Sequence, residues 1–294
     1  MDRSSFYLGC STSSWLHSAD DTPLFLALHR IRRWLSNEDW PMVPAMRWAL
    51  DSGGFNHLRT HGRWTISAED FVGEVWTHDR YTRGTMLWAA PQDWMCEPDI
   101  LAITGRAVAE HQALTVENFV QIRAEWERLE DQATRWLGDE VLPSDRRRNP
   151  FIPVLQGWAE DDYLRCADMY AAVGVALAAY PVVGVGSICR EQATTRVCRI
   201  VERLSQELAL PMHGFGVKTD GLSMYGHLLA SADSHAWSAV ARREERFCRH
   251  GLVKWERNCR QYALEWRDRV LAKLPPGPQP QPAARYSQPM LVSA

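Results

Sequence analysis

The residues of this chain whose types and spacing could do chemistry are polar groups that close short apolar runs. Trp48-Ala49-Leu50 stops at Asp51, and Ser52-Gly53-Gly54 follows. Such a run reads as a strand delivering Asp51 into a pocket, and glycines let backbone approach a ligand closely because they lack Cβ and tolerate positive φ. Asp-Ser-Gly-Gly also reads as a surface turn. The same grammar recurs downstream. Residues 86–90 lead through Pro91-Gln92 to Asp93, residues 151–155 to Gln156-Gly157, and Val182-Val183 into Gly184-Val185-Gly186-Ser187. Residues 212–217 end at Lys218, and Ala230-Ser231-Ala232 meets Asp233. Two carboxylates at one site suit substitution at an acetal-like carbon, one as nucleophile and the other as acid or base. An Asp and a Gln in one cleft can read the donor and acceptor edge of a flat heterocycle. Together these roles describe the exchange of a base on a sugar. Singly, each residue has a structural reading: Asp93 as a helix cap, Gln156 as partner to a loop carbonyl, Asp233 as the N-cap of a helix running from Trp237.

The elements that must position these groups alternate. A strand at 6–10 is followed by a polar loop and a helix-like segment from Pro23 to Trp34. The strand ending at Asp51 precedes a helix opened by Ser67-Ala68-Glu69-Asp70, an N-cap with acidic first-turn residues. Residues 104–136 are mostly helical, with Val116, Phe119, Val120, Ile122, Trp126 and Leu129 suited to one face. Helices are expected at 161–173, 191–208 and 221–229, and further helices reach Leu274. Strand-helix alternation repeated seven or eight times predicts an α/β fold, a (β/α)8 TIM-type barrel with C-terminal helices, over residues 1–274. The loop at 142–150, with Arg146-Arg147-Arg148, does not interrupt that alternation and is read as internal to one domain. Residues 275–294, rich in Pro and Gln, read as a disordered tail. In such a barrel ligand groups stand past the C-terminal strand ends, where Asp51, Asp93, Gln156, Gly184 to Ser187, Lys218 and Asp233 all fall.

Composition narrows the classes. The chain has 294 residues and a formal charge of −3, so any nucleic-acid binding must use local patches. No long apolar run and no leader-like N-terminus is seen, which predicts a soluble, cytoplasmic protein without membrane partners. Seven scattered cysteines predict reduced thiols. Gly184-Val185-Gly186 lacks the third glycine of a dinucleotide fingerprint.

The motifs resemble those of the tRNA-guanine transglycosylase superfamily. Asp51-Ser52-Gly53-Gly54-Phe55 is similar to its Asp-Ser-Gly-Gly hallmark, Val154-Leu155-Gln156-Gly157 to its Gln-Gly segment, and Val183-Gly184-Val185-Gly186 to its glycine-rich base-binding strand. Residues 90–98, 213–218 and 231–234 resemble blocks of its 7-deazaguanine-in-DNA branch. The resemblance runs in order from about Phe6 to Trp266. It implies that Asp233 is the nucleophile at C1′ of a guanosine and Asp51 the acid or base for the leaving and incoming bases. Asp93, Gln156 and the backbone at Gly184 to Gly186 would read the base edge, with Ser52, Gly53 and Lys218 as further substrate contacts. The incoming base would be a 7-deazaguanine such as preQ0, in DNA rather than tRNA or a free guanine nucleotide, and no cofactor is needed for the chemistry. A silent nucleic-acid-binding subunit is the reading of another class, against which the presence of both Asp51 and Asp233 argues. A homodimer or accessory DNA-modification proteins are the partners such an enzyme would take. Trp94 and Phe55 are candidates to stack on an extruded base. Arg242, Arg243, Arg246 and Arg249, at helical spacing, are candidates for phosphate contacts or a solvated face interleaved with Glu244 and Glu245. The superfamily's structural zinc takes three cysteines and a histidine; here Cys248, His250 and Cys259 are the candidates, with no fourth ligand in view.

Overall fold

A computed structural model of the chain describes residues 5–35 apart from 11 and 19, residues 47–137 apart from 83, and residues 149–274. The arginine run at 146–148 and the stretch 275–294 lie outside the described residues.

Eight short strands build one parallel sheet: β1 (Phe6–Gly9), β2 (Leu24–Ala27), β3 (Trp48–Asp51), β4 (Met86–Ala89), β5 (Val154–Leu155), β6 (Val183–Val185), β7 (Met212–Gly214) and β8 (Ser231–Ser234). The order is β4-β3-β2-β1-β8-β7-β6-β5, so the first and last strands in sequence are neighbours. Tyr7 pairs with Asp233, Ala27 with Asp51, and His213 with Ser231. The sheet curls into a half-barrel whose outer strands approach through one parallel bridge, Ala89 to Phe151. There Ala89 N–H donates to Pro150 at 2.9 Å and Ile152 N–H donates to Ala89 at 3.1 Å.

Alternation along each strand separates two apolar layers. Phe6, Leu8, Leu24, Leu26, Trp48 and Leu50 point outward into the main core under the helices. Tyr7, Phe25, Ala49, Trp88 and Ile152 form a second cluster on the opposite strand faces, with Phe215 packed against it.

The helices follow the strands: α1 (Leu28–Leu35), α2 (Gly54–His61), α3 (Ala68–Tyr81), α4 (Pro98–Thr104), α5 (Val108–Leu137), α6 (Glu160–Ala172), α7 (Thr195–Leu208) and α8 (Thr219–Tyr225). Two more, α9 (Ala236–Arg243) and α10 (Arg260–Leu271), close the described chain. The Ser67 side chain accepts from Asp70 N–H at 3.0 Å, the N-cap expected for α3. The segment expected to be helical from Pro23 to Trp34 divides instead into β2 and α1. Leu24-Phe25-Leu26 lies between β1 and β3 with every side chain buried, and tertiary pairing outweighs its helical spacing. Among the described residues no helix is long and apolar enough to cross a membrane.

Candidate active site

A cavity of about 360 Å³ opens at the C-terminal ends of the strands. Asp51 is the last residue of β3, Gln156 follows β5, Gly186 follows β6, and Asp233 is the third residue of β8. All four line the cavity, as does Asp93 from the loop after β4. The fold thus brings together the two expected catalytic carboxylates and the expected Asp and Gln pair. Gly53 lines the same cavity, and Ser52 lines a neighbouring depression with His29, Arg32 and His57. Gly184 and Lys218 are not among the lining residues. Gly184 lies inside β6, where a Cβ would meet the Phe215 ring at 2.5 Å. Lys218 is exposed at the start of α8, and its N–H donates to Gln192 at 3.1 Å.

Asp51 Oδ1 accepts from Gly53 N–H at 2.9 Å, across a turn in which Gly53 has φ +77°. A side chain at Gly53 would be strained there. Burial raises the Asp51 carboxyl to about 6, against the Gly53 hydrogen bond, and the Asp233 carboxylate adds repulsion. Neither the turn reading nor the site reading excludes the other: Asp51 makes the turn and faces the cavity.

Asp93 belongs to a buried chain of polar groups. Gln156 Nε2 donates to Asp93 Oδ2 at 2.6 Å, and Gln156 Oε1 accepts from the Ser187 hydroxyl at 2.7 Å. Ser187 Oγ also takes the Cys96 N–H at 2.7 Å and lies 2.9 Å from Glu97 Oε2. One hydroxyl proton cannot serve both Gln156 and Glu97. A protonated Glu97 donating to Ser187 satisfies every member, and burial does raise the Glu97 carboxyl. Burial also raises Asp93 to about 7, against its Gln156 hydrogen bond, with the Asp51 charge adding to the rise. Ser187 adopts φ +55°, a left-handed conformation uncommon for serine, and that turn carries its hydroxyl between the two side chains.

Asp233 is buried; its Oδ1 accepts from Gly216 N–H at 2.8 Å and lies 3.3 Å from His213 Nε2. It sits within β8, and the residue preceding α9 is His235, so Asp233 is no helix cap. Ser187 was expected at this strand end, but His213 and Glu97 were not singled out from sequence. Their signal is faint: a histidine inside a short strand and a glutamate before a proline.

The walls combine Phe25, Phe55 and Phe215 with Arg59 and Arg190. The Arg190 guanidinium lies 5.5 Å from the Phe55 ring centre and pairs with Asp99. Trp94 lies away from the cavity, in a cluster with Leu58 and Ile100, and packs as core. Arg242 and Arg243 end α9, but Arg246 and Arg249 fall in the hairpin beyond it. They pair there with Glu244, Glu256 and Glu265, so the four do not share one helical face.

All seven cysteines are free thiols. The ligand atoms of Cys248, His250 and Cys259 lie within 4.8 Å of one another, the one such group among the described residues. Phe247 and Trp255 bridge the hairpin that brings Cys248 toward Cys259. His250 Nδ1 is 3.4 Å from Cys259 Sγ, and its Nε2 is 2.9 Å from Glu265 Oε1. The Cys248 thiol is lowered to about 7: burial opposes the thiolate, while backbone hydrogen bonds from Val253 and the neighbouring Cys259 favour it. Two sulfurs and an imidazole backed by a carboxylate fit a zinc ion with one further ligand to be supplied. None of the three lines the cavity.

No curated protein matches the chain. The family model described as DpdA, deoxypurine in DNA protein A, matches residues 2–285. The chain therefore belongs to that family, the 7-deazaguanine DNA transglycosylase branch of the tRNA-guanine transglycosylase superfamily.

Proposed function

We propose that the chain replaces guanine in DNA with a 7-deazaguanine base such as preQ0. The observation that carries this reading is the convergence of Asp51, Asp93, Gln156 and Asp233 on one cavity, in a member of a family named for deoxypurine in DNA. A volume of about 360 Å³ admits a purine-sized heterocycle. The target nucleotide must leave its stack to bring C1′ to Asp233, and Phe55 with Arg59 and Arg190 at the wall suits base and phosphate contacts.

In this reading Asp233 attacks C1′, the C1′–N9 bond breaks, and its electron pair leaves with guanine as Asp51 gives up a proton. The glycosyl-Asp233 ester holds the DNA. Asp51, now a carboxylate, removes the N9 proton of the incoming base, whose N9 forms the new bond as the ester oxygen departs. Asp93 accepts from the donor edge of the base, and Gln156 and Gly186 frame it. On this reading the bridge between Ala89 and Phe151 is the seam of a complete barrel. Cys248, His250 and Cys259 would hold a structural zinc that pins the hairpin and contributes nothing to the chemistry at C1′.

The test is labelled guanine or deazaguanine offered with duplex DNA, single-stranded DNA, tRNA and GMP. Incorporation into DNA and a DNA adduct mapped by mass spectrometry to Asp233 are expected. Asp233→Ala should lower incorporation by roughly 10⁶-fold, the scale seen when a nucleophile is removed. Full activity in that variant would sink the assignment, and incorporation into tRNA or GMP alone would move the substrate.

A further inference from the structure

The reaction outlined above makes no use of His213, although burying an imidazole beside the candidate nucleophile is costly unless its nitrogens are paired. His213 is 0% exposed. It stands in a cage of rings, with Tyr7, Phe25, Trp88 and Phe215 centred 5.7, 5.8, 4.6 and 4.9 Å away. Its polar contacts among the described residues are Ser231 Oγ, 2.8 Å from Nδ1, and Asp233 Oδ1, 3.3 Å from Nε2. Ser231 and Asp233 are two apart on β8, so both side chains face the same side of the sheet, and the β7 to β8 register sets His213 against Ser231.

The hydrogen bonds fix the ring chemically. An ionised Asp233 only accepts, so Nε2 must carry a proton. In the neutral imidazole Nδ1 is then the acceptor, and the Ser231 hydroxyl donates to it. Gly216 N–H is the second donor to the same carboxylate oxygen, at 2.8 Å. Oδ1 is thus tethered twice, and Oδ2 is the oxygen that neither donor engages.

Resting on the transglycosylase reading, the geometry points to a Ser231–His213 pair that positions the Asp233 carboxylate for attack through Oδ2 and receives its charge when the ester breaks. When Oδ2 bonds to C1′, the carboxylate charge is spent as the C1′–N9 pair leaves with the base. When the incoming N9 bonds to C1′, the C1′–Oδ2 pair returns to the carboxylate, and the N–H groups of His213 and Gly216 meet the returning charge. His213 is a positioning residue here, since it touches neither base nor sugar. A phenylalanine would fill the aromatic cage as well, and would lack the donor.

The experiment measures single-turnover formation and discharge of the Asp233 adduct in the full chain, alongside guanine affinity by calorimetry and the imidazole tautomer by ¹⁵N NMR. His213→Leu should slow discharge by about 100-fold, the usual effect of removing one donor from a developing charge, and slow formation less, through lost positioning, with guanine affinity unchanged. His213→Gln, whose amide N–H can reach the same oxygen, should recover most of that loss. Ser231→Ala should leave the Nε2–H form, which Asp233 holds, in place and move the Nδ1 resonance as that nitrogen loses its donor. Wild-type rates in His213→Leu, or equal losses in the Leu and Gln variants, would overturn the inference. If wild-type protein forms no adduct with any substrate, the transglycosylase reading fails. The ring still judges the pair: an Nδ1–H tautomer, or an Nδ1 resonance indifferent to Ser231→Ala, overturns it.

Discussion

Asp51 and Asp93 hold protons far into the range where surface carboxylates are ionised, and the reason is the same for both: burial beside other carboxylates. For Asp51 this divides the two half-reactions by pH. In the proposed reaction expulsion of guanine needs the protonated carboxyl, so adduct formation should fall as pH rises through about 6. Discharge by the incoming base needs the carboxylate, so it should rise over the same interval. Separate single-turnover measurements between pH 5 and 8 would show opposite limbs, and parallel limbs would remove Asp51 from proton transfer. Much of this site was legible in the sequence because Asp51, Gln156 and Asp233 each end or closely follow an apolar run. His213 was not. Its role depends on strand register, which sets it against Ser231 on a strand 18 residues away, and no local pattern records that pairing.

At the scale of elements, β5 and β6 act as one support. Gly186 N–H donates to Leu155 at 3.0 Å, and the strand end passes directly beneath the Gln156 amide. A Cβ on Gly186 would lie 2.3 Å from Gln156 Nε2 and 2.6 Å from its Cδ. Gly186→Ala should therefore push the amide off Asp93 and weaken base binding by about 10- to 100-fold, the worth of one or two disturbed polar contacts. The far-ultraviolet circular dichroism should not change. Tight binding in this variant would show that Gln156 does not hold the base. The strands around Asp51, Gln156 and Asp233 were readable from their composition, and β2 was not. Leu24-Phe25-Leu26-Ala27 runs straight into the helical Leu28–Leu35 with no Gly or Pro between them, so periodicity alone merges the two.

For the whole molecule, stored protons become a stability term. A carboxyl raised in the folded state binds its proton more tightly there than in the unfolded chain, where it titrates near 3.9. The folded protein then carries excess protons from about pH 4 up to about 7, and that part of its stability is lost as pH rises through 6 and 7. Asp93→Asn keeps an acceptor for Gln156 and removes the titration. Its thermal midpoint should fall less than wild type's between pH 5.5 and 8, by several degrees, since each kcal/mol is worth roughly 2–4 °C in a chain of this size. Identical pH profiles would mean that Asp93 ionises freely in the folded protein. The Gln156 amide has a further consequence. Clamped between Asp93 and Ser187 before any base arrives, it cannot rotate to suit a different edge. Above about pH 7, where Asp93 is a carboxylate, a heterocycle offering an acceptor where guanine offers N–H would face it with no donor in a dry wall. In the proposed reaction selectivity then comes from refusal of the wrong base, with adenine excluded by the pairing it leaves unmade.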